Sequence, residues 1–456
     1  LLLSALFSLR FLFGEPIFGL QSLLMALMMC WVLINIFRSQ YNLRYIILFL
    51  FFPVILFLDS YMLSNSNTDI IPLLCSFYFI VKTGLKPTWI IKQPLLACLL
   101  PVSLVTFKLS AVILCLMCLI VLANLIKEKK FRPLVFIFTS ASLIIILWCI
   151  RNIIITGYLV YPIYSIDLFS FDWKMPYGTV MLQKEHVYQW AKIVYDIFYI
   201  EKIAVAIQTR KIYLYVITHA FNFVMYIFAL ITPFVLILFK VIKRKKINRI
   251  VLSIYVVSLL SILFGVISAP DLRFFNGYIY GAIFIFACTM LSFFNKDKVK
   301  LKYGLVATTI LTLCFCGWSG FNSLYIAVNS DFGKVPNKLQ AILVRPWHPP
   351  YPDDFTEYKM DYITIYLTYP GNASYYKLPA TNSDGIPFDP FIGGKAQSIR
   401  TVEMRGKNIR DGFRTKKEYI EIINKNAEKY RQEYIEVQKK RYEEEIMYNN
   451  MMHGLE

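Results

Sequence analysis

Apolar runs close to bilayer-spanning length recur along the first 328 residues, near 17–37, 44–58, 70–82, 94–107, 109–126, 134–150, 212–241, 249–268, 274–294 and 303–328. A helix needs roughly 20 apolar residues to cross the hydrocarbon core. The pattern therefore predicts an all-α polytopic membrane protein of about ten transmembrane helices, with the bundle spanning residues 1–328. The runs 70–82 and 94–107 are short, so tilt or shielding by neighbours is expected there. Pro72, Pro94, Pro101 and Gly84 predict kinks or half-helices in the same region. The strict alternation of a membrane β-barrel is absent.

Two polar stretches interrupt or follow the bundle. The loop 151–211 carries Trp173, Trp190 and many tyrosines, which suit a membrane interface. Within it, 184–198 reads as an amphipathic helix with Val187, Trp190, Val194, Ile197 and Phe198 on one side, either capping the bundle or closing over a substrate. The tail, 329–456, reads as small and mixed. Residues 329–413 are rich in Pro, Tyr, Asp and Gly, with one predicted strand at YITIYLTY (362–369). Residues 415–447 predict an amphipathic helix, with Tyr419, Ile423, Ala427, Tyr430, Tyr434 and Val437 recurring every three or four positions.

Composition sharpens the class. The chain is 57% hydrophobic and only 17% charged, with mean hydropathy +0.54, which excludes an ordinary soluble domain. The net charge of +19 would point a soluble protein towards nucleic acid. Here the basic residues cluster between apolar runs, at LIKEKKFR (125–132), KVIKRKKINR (240–249) and NKDKVKLK (295–302), so they read as cytoplasmic loops and no nucleic-acid partner is expected. All nine cysteines lie in apolar runs without His or acidic neighbours and read as small buried hydrophobes.

With those loops inside, alternation turns the opposite helix ends outward. FLDSYMLSNSNTDI (57–70) then brings Asp59 and Asp69 to the outer surface. Lys108, Arg151, Asn152, Asp271 and Arg273 join them, together with the loop 151–211 and the tail. Carboxylates are costly in hydrocarbon, so their collection at one surface needs a reason. Cations near the headgroup level suit a phosphate or diphosphate. Carboxylates suit deprotonation of a sugar hydroxyl, or a divalent cation, for which Asp69 would be the ligand. Each residue also has a plainer role. Asp69 can cap a helix, Lys108 can snorkel, Arg151 can sit at a helix C-terminus, and Asp271 and Arg273 can pair across a turn. His186 and His348 read as surface histidines, and His219 as a helix–helix hydrogen bond.

The order of these pieces resembles the GT-C superfamily of multi-span glycosyltransferases. SNSNTDII (64–71) looks like its acidic second outer-loop motif, and TFKLSAVIL (106–114) like its helix-start lysine motif. WCIRNIIITGYLVYP (148–162) is similar to a W-x-x-R-N-x-x-x-T-G-x-x-x-x-P run of bacterial members, and APDLRFFNGY (269–278) to an outer-loop D-x-R-[FY] motif. VEMRGKNIRDGFR (402–414) is similar to a tail stretch of an uncharacterised bacterial membrane-protein family.

The resemblance implies a glycosyltransferase that moves a sugar from a polyprenyl-phosphate donor to an envelope glycan or lipid acceptor at the outer face of the bacterial inner membrane. It implies Asp69 and Asp59 at the acidic, catalytic site, Lys108 and Arg273 on donor phosphate beside Asp271, and Arg151 with Asn152 bracing the site. It further implies that the chain starts after a first outer loop bearing the principal carboxylate, and that this fragment alone is inactive. Alternatives are an O-antigen polymerase or ligase, whose outer loops lean on Arg and His, and a lipid-glycan transporter or flippase. A transporter would carry its ionisable groups near the bilayer midplane.

Overall fold

The computed structural model describes residues 20–64, 69–195, 214–244, 247–269, 271–294, 303–311, 313–314, 355–368, 380–382 and 401–452. The chain forms two compact units, Leu1–Ile144 with Tyr195–His348, and Ile145–Val194 with Pro349–Glu456. The sequence Asn372-Ala373-Ser374, formally a glycosylation sequon, together with His348 and the side chains of Asp59, Trp190 and His219, lies outside what is described.

The first unit is a helical bundle. Its elements are α1 (Leu20–Arg38), α2 (Leu43–Ser64), α3 (Ile70–Leu85), the short α4 (Trp89–Lys92), α5 (Pro94–Phe107), a 3₁₀ segment (Leu109–Cys115) continued by α6 (Leu116–Lys127), and α7 (Phe131–Thr156), whose last turns belong to the second unit. After the polar loop come α9 (Leu214–Lys243), α10 (Arg249–Ser268), a 3₁₀ turn (Leu272–Phe274) and α11 (Asn276–Phe293). Among the described residues, five helical stretches are long and apolar enough to cross a membrane: Leu109–Lys127, Phe131–Thr156, Phe221–Lys243, Arg249–Ser268 and Asn276–Phe293. Shorter apolar helices cover Leu24–Arg38, Leu43–Ile55, Ile70–Leu85 and Pro94–Phe107. The protein is thus a mostly helical, multi-pass membrane protein. Large apolar side chains left exposed, such as Phe136, Phe138 and Ile154 on α7 or Phe234 and Ile237 on α9, are what a lipid-facing surface requires.

The best-buried helix, α11, packs most extensively on α3. The two run parallel, because their contacts rise together: a Cβ on Gly277 would meet the Leu73 carbonyl oxygen, one on Gly281 the Ile80 side chain, and one on Gly84 the Ile285 side chain. Small residues one turn apart let helix backbones approach closely inside a membrane. Here that approach brings the N-termini of α3 and α11 level with each other. The rings of Phe77 and Tyr280, 6.2 Å apart, fill the next layer.

Charge is sorted between the two ends of this bundle. Asp69 and Asp271 lie at the end where α3 and α11 begin. Arg38, Lys82, Lys86, Lys127, Lys240 and Lys243 lie where α1, α3, α6 and α9 finish.

Local boundaries differ from the sequence reading in several places. Arg151 does not follow a helix ending at residue 150; α7 continues to Thr156, because no breaker occurs before Gly157, which takes φ +79°. The 109–126 run begins as a 3₁₀ segment rather than an α-helix. In the second unit, α8 (Tyr177–Tyr195) starts earlier than the predicted 184. Among its described residues the tail has five strands, where the sequence reading predicts one. β1 (Phe355–Met360) and β2 (Ile363–Thr368) form an antiparallel hairpin, with β3 (Ala380–Asn382) parallel to β2. β4 (Val402–Met404) pairs antiparallel with β5 (Phe413–Thr415). The tail helix is divided at Asn426 into α12 (Lys417–Lys425) and α13 (Ala427–Met452), and the Asn426 amide donates back to the Ile422 carbonyl at 2.9 Å.

Asp172 ties this unit together. It accepts from Arg405 Nε at 3.0 Å and Nη2 at 3.1 Å, and from Arg414 Nη1 at 3.4 Å. The Arg405 guanidinium lies 4.4 Å from the centre of the Trp173 ring, which stacks on Phe171. His186, expected on the surface, is half-buried, with Nδ1 2.7 Å from the Tyr434 hydroxyl. Next to it Arg431 donates to Glu185 at 2.9 Å.

The hydrogen bond from Arg405 holds the Asp172 carboxyl below the usual carboxylate range. A carboxylate with a depressed pKa stabilises the fold above its unfolded value, about 3.9, and that contribution is lost as pH falls through the folded value. The Arg405 and Lys416 amides, bonded to the carbonyls of Gly412 and Thr401, report on the clasp. Their protection against hydrogen exchange, relative to the free-peptide rate at each pH, is expected to hold from about pH 7 to pH 5 and to fall below about pH 4. With Asp172→Asn it should be lower throughout; wild-type protection in that variant would remove Asp172 from the clasp.

Candidate functional site

The hinge between α5 and the 3₁₀ segment is where polar chemistry concentrates. Lys108 is the single extended residue between them, with its amide still bonded to the Leu104 carbonyl at 2.9 Å. Its ammonium pairs with the Asp69 carboxylate across a separation of 39 residues. The side chains keep only 20% and 15% of their exposure, so the pair is largely withdrawn from water. Asp69 occupies the N-cap position of α3, yet its carboxylate makes no capping bond to the helix. Lys108 does not reach out to headgroups; it turns inward to Asp69.

The second pair is built within a turn. Asp271 is completely buried. It accepts from the Arg273 backbone N–H at 2.9 Å and from Arg273 Nε at 2.7 Å, and a second guanidinium nitrogen contacts the same carboxylate. Both guanidinium nitrogens meet the same oxygen, Oδ2, while the backbone N–H holds Oδ1, so the guanidinium is kept in place beside its own turn. The 3₁₀ turn then delivers Phe274 between the two pairs. Its ring centre lies 3.2 Å from Lys108 Nζ and 5.7 Å from the Arg273 guanidinium carbon. Asp271 and Arg273 both lie within electrostatic reach of the Lys108 ammonium.

Asp69, Lys108, Asp271 and Arg273 therefore converge, although they come from three separate parts of the sequence. The parallel packing of α3 on α11 brings Asp69 level with Arg273, and the packing of α5 and the 3₁₀ segment on α3 adds Lys108. Asp69 sits one turn before Leu73, and Arg273 one turn before Gly277, at the same level of the bundle. The first turns of α3 and α11 add partial positive charge at that level.

Asp59, Arg151 and Asn152 are the remaining candidates. The side chain of Asp59, near the end of α2, is outside the description. Arg151 and Asn152 belong to the second unit. Arg151 is exposed within the last turns of α7. Asn152 is buried, with its amide donating to the Leu159 carbonyl at 3.4 Å. Among the described residues, no group of three or more His, Cys, Asp or Glu is arranged to hold a metal ion. Cys98, Cys118 and Cys288 are buried thiols.

Sequence reasoning missed Phe274 and Asn276. Phe274 is the ring on which both cations rest, and its signal was its place immediately after Arg273. Asn276, 2% exposed at the first turn of α11, is polar and buried beside the cluster. Tyr278, two residues further on, is buried as well.

No curated protein matches the chain, and no solved structure does. A family model described as "Domain of unknown function (DUF8201)" matches residues 1–280, which span the bundle from its start through Asp69, Lys108, Asp271 and Arg273 into the first turn of α11. The chain belongs to that family.

Proposed function

We propose that the protein is a glycosyltransferase that moves a sugar from a polyprenyl-phosphate donor to an envelope glycan or lipid acceptor, at the outer face of the bacterial inner membrane. The observation that carries this reading is the convergence of two acid–base pairs, Asp69 with Lys108 and Asp271 with Arg273, around Phe274 at one end of an apolar bundle. The basic residues at the other end mark the cytoplasmic side by the positive-inside rule, so the cluster faces outward. By the same rule the C-terminal tail is extracytoplasmic.

The charge balance suits this chemistry. The four groups are neutral as a set, so a bound donor phosphodiester keeps its own charge. In the reaction Asp69 takes the proton of the acceptor hydroxyl, whose oxygen forms the new bond to the anomeric carbon. The bond from that carbon to the phosphate oxygen breaks, and polyprenyl phosphate leaves with one more negative charge. Asp69 loses its charge as the phosphate gains one. Lys108, released from Asp69, is then positioned to hold the departing phosphate. Arg273, kept in place by Asp271, adds a second positive charge beside the departing phosphate. Fixed donors aimed at charge that develops during reaction contribute most to such catalysis. The lipid tail would lie against the apolar helix surfaces. A divalent cation, if used, would meet Asp69.

Ion pairs at a helix end favour transfer over transport. A transporter places its ionisable groups near the bilayer midplane on broken helices, whereas these lie where α3 and α11 begin. The test is complementation of a deletion strain, with envelope glycans profiled by mass spectrometry. Asp69→Asn is expected to remove one glycan modification while the protein accumulates normally. A wild-type glycan profile would take Asp69 out of the chemistry. Sidedness has its own check. A cysteine at position 129 should be labelled from the cytoplasm, and one at position 407 from outside.

A further inference from the structure

We propose that the opposite end of the bundle binds an anionic phospholipid, with its headgroup phosphate seated between Lys82 and Lys86. This site is independent of sugar transfer. From Ile70 to Phe107 the chain contains no Asp or Glu, yet it carries Lys82, Lys86 and Lys92. Among the described residues no carboxylate pairs with Lys82 or Lys86.

Lys82 is held in a built setting rather than extended to water. Its ammonium donates to the Tyr78 hydroxyl at 2.7 Å and lies 4.5 Å from the centre of the Trp89 ring and 5.0 Å from that of Tyr78. Each ring is fixed in turn. The buried Trp89 donates its indole N–H to Thr83 at 3.0 Å and packs edge-on against Phe79. Tyr78 packs edge-on against Trp31 of α1. Lys86, exposed one turn later, lies with Nζ 3.4 Å from Asn35 Oδ1, and Asn35 is anchored to the Trp31 carbonyl at 2.7 Å. Exposed Thr88, Lys92 and Gln93 border the place.

Aromatic rings stabilise the cation but leave its charge uncompensated. Lys82 and Lys86 stand one helical turn apart on α3, at the end where a bilayer presents its headgroups, and together suit one phosphate bridging both. The tryptophans suit the same interfacial depth. An anionic lipid supplies a phosphate at that depth together with acyl chains that cover the exposed apolar helix faces. Free phosphate supplies only the charge.

The experiment is native mass spectrometry of the purified full chain titrated with phosphatidylglycerol or phosphatidylcholine. Wild type is expected to retain at least one phosphatidylglycerol that phosphatidylcholine does not replace. Lys86→Gln, a surface change that leaves the fold intact, should weaken that binding about five-fold, and Lys82→Gln with Lys86→Gln more than twenty-fold, at roughly one headgroup contact per lysine. Lys407→Gln, a surface change in the second unit, should bind as wild type does. Equal retention of both lipids, unchanged binding in Lys86→Gln, or displacement of the lipid by millimolar inorganic phosphate would overturn the proposal.

Discussion

Replacing Lys108 by methionine is expected to lower sugar transfer by at least about 10²–10³-fold and to destabilise the bundle by roughly 3–5 kcal/mol. The two losses have different causes. Stability falls because Asp69, with 15% of its side chain exposed, is left as a largely buried carboxylate without its cation. Removing one partner of such a pair is much more harmful than removing both. Activity falls because no ammonium remains to meet the leaving phosphate. A second variant separates these effects. Asp69→Asn with Lys108→Met leaves no orphan charge, so thermal unfolding in detergent should return most of the way to wild type while transfer stays abolished. Recovery of both would make the pair structural only, and the assignment of Asp69 and Lys108 to the reaction would fall.

Gly277→Ala is expected to disrupt the site without touching any charged residue. A Cβ at this position would sit 2.4 Å from the Leu73 carbonyl oxygen and 2.5 Å from Ser76 Oγ. Because the first obstacle is backbone, α3 and α11 must move apart. Overpacking costs typically 1–3 kcal/mol, and this site should lie at the upper end. Leu73 and Gly277 stand one turn from Asp69 and Arg273, so the separation is transmitted directly to the two ion pairs. Transfer measured well below the unfolding temperature should fall by at least about ten-fold, in line with the sensitivity of catalysis to displacements near 1 Å. Gly281→Ala is the control. Its Cβ meets the γ-methyl of the buried, β-branched Ile80 at 2.7 Å, so stability should fall here too, but the contact is two turns from the cluster. Transfer should stay near wild type. Equal losses at 277 and 281 would show that the glycines matter for folding alone.

The helical, multi-pass character was plain from the apolar runs, because twenty apolar residues in succession have few other uses. The sorting of charge between the two ends was legible for the same reason: lysines and arginines cannot stay in hydrocarbon. The pairings Lys108 with Asp69 and Arg273 with Asp271 were not legible to the same degree. Asp271 and Arg273 are two residues apart and their pairing is a local matter. Lys108 and Asp69 meet because α5 and the 3₁₀ segment pack on α3, a tertiary cause that periodicity does not carry. Arg151 was placed wrongly at a helix end because a fall in hydropathy after residue 150 was taken for the end of the helix. The backbone instead continues to the first residue that stops it, Gly157. The clasp of Asp172 with Arg405 and Arg414 was invisible for a related reason. It joins a loop to a tail more than 200 residues away, and charge patterning reports only near neighbours.

The most direct measurement uses a photoreactive polyprenyl phosphate in membranes containing the full chain, with labelled residues identified by mass spectrometry. The prediction is labelling around Lys108 and Phe274 that disappears in the stable Asp69→Asn, Lys108→Met protein. Labelling confined to the end that carries Lys82 and Lys127, or equal labelling of the two proteins at Phe274, would contradict it.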